Sequence, residues 1–359
     1  MNHRDRVLAA LAHEETDRPP FQAVFVPEFN ARLRDHFGLP PRFAEPHHGT
    51  WQGYELEIAT GQDVLTASAG WVTNYYLHDY PYTDDWGVRW RIDHYRTQFG
   101  PGFYTNIDRS PLAGDVVDLS TYRAPDPDKP GMYDHIERLV REYGREYYIV
   151  GRVHCTIFET AWALRGFENL LVDLYEDPDL AEQIVDIPYR YHREVARQVA
   201  RRGVDMVWLG DDWGTQTNLL IDPDMWRAHF KSRYADICGA IKEANPHCLV
   251  AFHSDGDVTK LIPDLIEVGV DVLNPIQTDC MDPAQLQAGY GDRLGFFGGV
   301  AVQSTLPHGS REEIRAEYDW LKSTLGAGGG WICAPTHHVQ QDTPVENLLT
   351  LVDCVYGRR

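Results

Sequence analysis

Leu249-Val250-Ala251-Phe252-His253-Ser254-Asp255-Gly256-Asp257, followed at once by Val258-Thr259-Lys260-Leu261-Ile262-Pro263-Asp264-Leu265, is the segment whose reading decides the fold. Its apolar start reads as a buried strand, and residues 258–265 as a short helix or a turn leading into one. A His and an Asp two residues apart at a strand exit can face the same space, which suits metal binding or proton transfer. The plainer alternative is a hydrogen-bonded strand-end histidine with Asp255, or equally Asp257, capping the next helix. A second polar cluster, Cys333-Ala334-Pro335-Thr336-His337-His338, follows another apolar run, Gly330-Trp331-Ile332.

The strand-then-helix pattern extends in both directions. Helices are expected over 133–143, 156–176, 178–202, 223–244, 258–268, 282–289, 310–325 and 344–356. Apolar strands are expected over 147–153, 206–209, 248–252, 270–273, 294–297 and 330–334. Strands that alternate with helices and are apolar throughout are parallel strands covered on their outer face. One or two N-terminal strands, including Phe21 to Val26, bring the total to about eight, the count of an α/β (β/α)8 TIM barrel. An open doubly wound sheet is the rival, but no G-x-G-x-x-G follows the first strand. Residues 3–14 read as an amphipathic helix with Val7, Leu8 and Leu11 on one face, and 28–37 as another helix. The whole chain, 1–359, reads as one barrel domain, with about 40–130 as an insertion. That insertion is rich in Pro, Gly, Tyr and Trp, and alternation in Trp86–Ile92 predicts antiparallel strands there. Its aromatics (Trp71, Tyr75, Tyr76, Tyr80, Tyr82, Trp86, Trp90, Tyr95) suit a cation–π box or, more simply, a small self-packed subdomain.

The net charge of −21 disfavours nucleic acid and anionic membranes as partners. Six cysteines without a CxxC pair fit a reducing cytoplasm better than a disulfide scaffold. No signal-peptide pattern opens the chain, and no apolar run approaches a membrane span.

In a barrel, reactive groups gather at the C-terminal ends of the strands. The expected strand ends carry Arg152 and His154, then Asp211, Asp212 and Trp213, then His253 and Asp255, then Asn274 and Gln277, then Gln303, and last His337. His253, Asp255 and His337 form a candidate metal set, two imidazoles and a carboxylate, suited to Zn²⁺ with an open position or to Fe²⁺. His338 points away from His337 if the segment stays extended, and Cys333 reads as a core residue. Of the adjacent pair Asp211 and Asp212, one is expected to face the mouth and the other to cap or pair. Arg152 suits a substrate carboxylate or a neighbouring acidic side chain. The D-x-H-x-x-G cobalamin signature is absent, so a corrinoid could arrive only on a separate protein.

The chain resembles the uroporphyrinogen decarboxylase superfamily, which includes corrinoid-linked methyltransferases and coenzyme M alkyl transferases. The opening Arg4-Asp5-Arg6-Val7-Leu8 with Asp17-Arg18-Pro19-Pro20 carries that resemblance. So do Phe158-Glu159 with Leu164-Arg165-Gly166-Phe167-Glu168-Asn169, and Val270-Asp271-Val272-Leu273-Asn274-Pro275-Ile276-Gln277. The resemblance implies a (β/α)8 barrel. Two departures have chemical content. Phe25-Val26-Pro27-Glu28-Phe29-Asn30 stands where decarboxylases of this family carry an arginine-bearing segment, which argues against uroporphyrinogen as substrate. Where the alkyl transferases bind zinc through H-x-C and a later Cys, this chain reads His253-Ser254-Asp255 and His337.

The expectation is a metal-assisted methyltransferase that moves a methyl group from a small donor, a methoxylated aromatic or a methylated amine, to a separate corrinoid protein. Zinc is the expected ion. Asp211, His154 and Glu28 are expected to give polar contacts or a proton, and Arg152, Trp213, Asn274, Gln277 and Gln303 to line the substrate. The alternatives are a decarboxylase of a small acid and a non-catalytic small-molecule-binding barrel; a homodimer is a candidate assembly.

Overall fold

The computed structural model describes residues 1–41, 53–69 and 80–358. Seven parallel strands form one sheet in sequential order: β1 (Val64–Ser68), β5 (Tyr148–Val153), β6 (Met206–Gly210), β7 (Leu249–His253), β8 (Val272–Asn274), β9 (Gly295–Val300) and β10 (Trp331–Pro335). A separate antiparallel sheet holds β2 (Tyr82–Thr83), β3 (Arg89–Thr97) and β4 (Gly100–Arg109).

The segment Phe21–Val26, expected as a strand, is instead an irregular stave with isolated parallel bridges at Phe21–Cys333 and Phe25–Val339. Gln22 N–H donates to the Cys333 carbonyl at 3.1 Å, and Asp63 N–H donates to the Phe21 carbonyl at 2.8 Å. These bonds tie β10 back to β1 and close the curled sheet. Inside the segment the Phe21 N–H donates to the Asp63 carboxylate at 2.8 Å and the Ala23 N–H to the Gln62 side-chain oxygen at 3.1 Å, so a full backbone ladder does not run through it.

The expected insertion over 40–130 contains a barrel strand. Val64–Ser68 pairs in parallel with Tyr148–Arg152. Val-Leu-Thr-Ala-Ser is short and half polar, and the helix that should follow a barrel strand comes only at Asp134–Tyr143, after the antiparallel sheet. That spacing hid the strand. Of the insertion's aromatics, Trp71, Tyr75 and Tyr76 lie outside the described residues. Trp86 and Trp90 are buried; Trp86 packs edge-on against Tyr191 with ring centroids 4.9 Å apart, and the Trp90 indole N–H donates to Asp84 at 2.8 Å.

Helix boundaries depart from expectation where glycine or capping intervenes. The 156–176 helix is two, Phe158–Arg165 and Phe167–Glu176, parted by Gly166 at φ 92°. The 223–244 helix is likewise split at Phe230. The first helix spans His3–Leu11; Val7 is buried and Leu11 packed, whereas Leu8 is exposed.

Strand alternation divides the core in two. Val64, Val150, Trp208, Ala251, Phe297 and Ala334 face the lumen, which Val7 and Leu11 plug from below. Leu65, Ile149, Leu209, Phe252, Phe296 and Cys333 face outward beneath the helices.

Candidate active site

The lumen's apolar packing stops one layer short of the strand ends. The next inward positions after Val150, Ala251 and Val272 are Arg152, His253 and Asn274. On β6 that position is Gly210, and a Cβ there would lie 3.1 Å from the His253 Cβ. The missing side chain leaves room for the imidazole, whose ring lies above Trp208 with centroids 5.8 Å apart.

Three side chains converge at the mouth. His253, Asp255 and His337 each place one ligand-type atom within 4.8 Å of the others. His253 Nε2 is 3.8 Å from Asp255 Oδ1, and His337 Nε2 is 3.9 Å from Asp255 Oδ2. His253 Nδ1 lies 2.6 Å from Asn274 Oδ1, while the Asn274 amide donates to the Phe297 carbonyl at 2.9 Å. That donation fixes which end of the amide is the acceptor. His253 therefore carries its proton on Nδ1 and offers the Nε2 lone pair to the mouth. Burial and the neighbouring His253 push His337 down to about 4, against the pull of Asp212, so its imidazole is neutral at pH 7.

Asp255 is held by its backbone. Gly256 takes φ +81°, and a Cβ on it would lie 2.5 Å from the Gly214 carbonyl carbon. Only glycine lets the two loops approach that closely. Across this contact Gly214 N–H donates to the Asp255 carbonyl at 3.2 Å, and Asp257 N–H to the Thr215 carbonyl at 2.8 Å. Asp257, not Asp255, takes the capping role, accepting from Thr259 N–H at 3.0 Å. Asp255 Oδ1 is buried with no hydrogen-bond partner, a state that costs free energy unless something else meets it. Burial raises the Asp255 carboxyl and His253 lowers it, with a net upward shift.

The other expected site residues separate into those at the mouth and those in its support. Asp212, rather than Asp211, faces the trio: its Oδ1 accepts from Asp255 N–H at 2.8 Å and is 3.9 Å from His253 Nε2. Asp211 is fully buried and turned away, accepting from Ile157 N–H at 2.7 Å, Glu159 N–H at 2.8 Å and the Tyr234 hydroxyl. It is a helix anchor, not a proton donor to substrate. Trp213 is core, stacked on Phe158 at 4.2 Å between centroids. Gln277 spends its side-chain oxygen on Gly256 N–H at 2.5 Å. Glu28 Oε1 accepts from Phe103 N–H at 3.0 Å and so pins β4. Gln303 is exposed. Arg152 and His154 are half-buried at the lumen; burial, Arg152 and the other histidines hold His154 well below its ordinary range.

Two contributors were not expected. Glu159 is buried, and burial with the charges of Asp212 and Asp211 holds its carboxyl well above the usual range. Tyr104 comes from β4, and its hydroxyl is pushed up to about 12 by burial and by Glu159 and Asp212. The hairpin that carries it also has Phe99, over which the Arg32 guanidinium sits at 4.0 Å. The β3–β4 hairpin thus reaches from the Glu28 and Arg32 side of the mouth to its acidic side. Phe158-Glu159 stood in plain sight after a strand, but nothing local marks Tyr104.

A family model described as uroporphyrinogen decarboxylase (URO-D) matches residues 97–358. Among solved structures, a methyltransferase from Methanosarcina mazei superposes with a TM-score of 0.71 at 19% identity, covering 99% of each chain. A B12-independent methionine synthase from a Shewanella species gives a TM-score of 0.46 at 11% identity, over 94% of this chain and 95% of that one. No curated protein sequence matches the chain. Among the described residues no helix is long and apolar enough to cross a membrane.

Proposed function

The chain belongs to the uroporphyrinogen decarboxylase family, and on that premise we propose that it is a methyltransferase that moves a methyl group from a small donor to a corrinoid carried on a separate protein. The observation that carries this reading is the convergence of His253, Asp255 and His337 at the barrel mouth. The donor set fits a divalent ion: two imidazoles, one oriented by Asn274 and the other, His337, neutral at pH 7, and a carboxylate oxygen that lacks a hydrogen-bond partner. The full-length superposition on a methanogen methyltransferase supports the same class of chemistry.

His253, Asp255 and His337 would hold the ion. With oxygen and nitrogen donors instead of thiolates, the chemistry supplied there would be that of a harder Lewis acid, suited to an oxygen or nitrogen of the donor. The donor loses its methyl and keeps the electron pair of the broken bond on that heteroatom, which must then gain a proton. Asp212 lies 3.9 Å from His253 Nε2, and burial with the charges of Asp212 and Asp211 holds the Glu159 carboxyl well above its usual range, which supports these two carboxyls as the holders of that proton. Asp211 keeps both groups in place through the backbone bond to Glu159.

Elemental analysis of the purified protein tests the reading. About one zinc per chain, lost in His253→Ala, is the expected result. Metal-free protein that releases CO₂ from a small acid would replace the reading with a decarboxylase. Neither metal nor turnover would leave a binding protein.

A further inference from the structure

Both carboxyl oxygens of Asp255 are uncommitted, and the chain around it keeps them so. An aspartate in a turn ordinarily lays its carboxylate on the N–H groups just ahead of it. Here each of those donors is drawn elsewhere. Gly256 N–H donates to Gln277 Oε1 at 2.5 Å, and Asp257 N–H to the Thr215 carbonyl at 2.8 Å. The backbone of Asp255 is itself fixed on both sides. Its N–H donates to Asp212 Oδ1 at 2.8 Å, and its carbonyl accepts from Gly214 N–H at 3.2 Å. Oδ1 is buried without a hydrogen-bond partner, and among the described residues no hydrogen bond reaches Oδ2 either. The two oxygens are also divided between the imidazoles. Oδ1 is the one that faces His253 Nε2, at 3.8 Å, and Oδ2 the one that faces His337 Nε2, at 3.9 Å.

We infer that Asp255 meets the metal ion with both oxygens, and that Gln277 is the positioning residue that makes this possible. The inference deepens the proposed function, resting on it only in taking His253, Asp255 and His337 as the residues that hold an ion. A carboxylate that binds through one oxygen brings that oxygen nearest both imidazoles and turns the other to a hydrogen-bond donor. Asp255 does neither. The oxygens of one carboxyl group lie closer together than separate ligand atoms at a tetrahedral ion. Two imidazoles and a chelating carboxylate therefore suit a five- or six-coordinate ion. Such a site takes iron(II), cobalt(II) or manganese(II) as well as zinc, unlike the four-coordinate sites that thiolates build. Gln277 is buried and lies three residues beyond the end of β8, the strand whose Asn274 orients His253. It acts through Asp255, because its oxygen holds Gly256 N–H away from the carboxylate. With an apolar side chain at position 277 that N–H is released, and takes one carboxylate oxygen out of the set.

Cobalt(II) alone, added to the metal-stripped protein, tests this. Its visible bands are intense when it is tetrahedral and weak when it is five- or six-coordinate. The expected result is stoichiometric binding with weak bands. Asp255→Asn, which offers a single amide oxygen, should intensify them. Gln277→Leu should weaken cobalt binding about 10- to 100-fold and move the bands the same way, and it serves if Asp255→Asn retains no metal. Gln277→Glu keeps an acceptor for Gly256 N–H and should stay near the wild type. Four results would overturn the inference: intense bands in the wild type, no cobalt binding, Gln277→Leu equal to the wild type, or Gln277→Glu as weak as Gln277→Leu. The bands are read without turnover. Weak bands in a protein that moves no methyl group to a corrinoid leave the two-oxygen grip standing and remove the proposed function. Intense bands in a protein that does move one have the opposite effect.

Discussion

Asn274 shows how much one side chain decides. Its amide nitrogen is committed to the Phe297 carbonyl, so its oxygen takes the His253 Nδ1 proton and turns Nε2 toward Asp255. Asn274→Ala should lower zinc affinity about 10- to 100-fold without unfolding the protein, measured by competition with a chelator. The sequence suggested Asn274 as a substrate contact, and its place at a strand end was right. That it supports a neighbouring imidazole could not be seen, because the bond joins residues on different strands. Asp211 and Asp212 make the same point. Alternation says that they face opposite ways, but which one looks into the mouth depends on where the strand ends and how the chain turns after Gly210.

At the scale of elements, the turn after β6 is bound to the first helix of the preceding connection. Asp211 accepts two backbone N–H groups at the start of the Phe158–Arg165 helix, together with the Tyr234 hydroxyl. Burial pushes its carboxyl up to about 7 while these donors pull it down. Asp211→Ala should cost about 3 kcal/mol or more of stability, since it leaves buried donors unmet, and should be read from the urea midpoint. It should also loosen Glu159, whose N–H is one of those donors. Most barrel strands were legible because each is apolar on both faces over five or six residues. Val64–Ser68 was not, since its inward side ends in Thr66 and Ser68 and its connection to the next strand holds a second sheet.

The whole molecule depends on closing the barrel at the Phe21–Val26 stave, which has few ladder bonds. Asp63, fully buried below it, takes over: it accepts from Arg18 at 2.6 Å, Arg6 at 2.7 Å and Phe21 N–H at 2.8 Å, and meets His3 at 2.8 Å. Burial would raise its carboxyl, but His3, Arg18 and Arg6 outweigh burial and hold it below the ordinary range. A carboxyl whose folded value is depressed favours the ionised folded state. Its stabilisation is complete above about pH 4, the unfolded value, and is lost as pH falls through the lower folded value. Asp63→Asn should therefore destabilise the protein at pH 7 by about 3–5 kcal/mol, because the buried Arg6 and half-buried Arg18 guanidinium groups lose their charged partner. It should also flatten the acid limb of a plot of melting temperature against pH. An acid limb identical to the wild type's would show that Asp63 does not set it.

The sequence by itself determined the parallel barrel, the order of its strands after residue 147, and the His253, Asp255 and His337 set, because each rests on local pattern: apolar runs, their alternation with helices, and polar groups at their ends. Only the tertiary structure decided which carboxylate faces the mouth, how the barrel closes, and that the β3–β4 hairpin brings Tyr104 to the acidic side. Those outcomes depend on register and on contacts between residues far apart in the chain. Strand periodicity fixes which side chains share a face, but the pairing of one strand with the next fixes what that face meets.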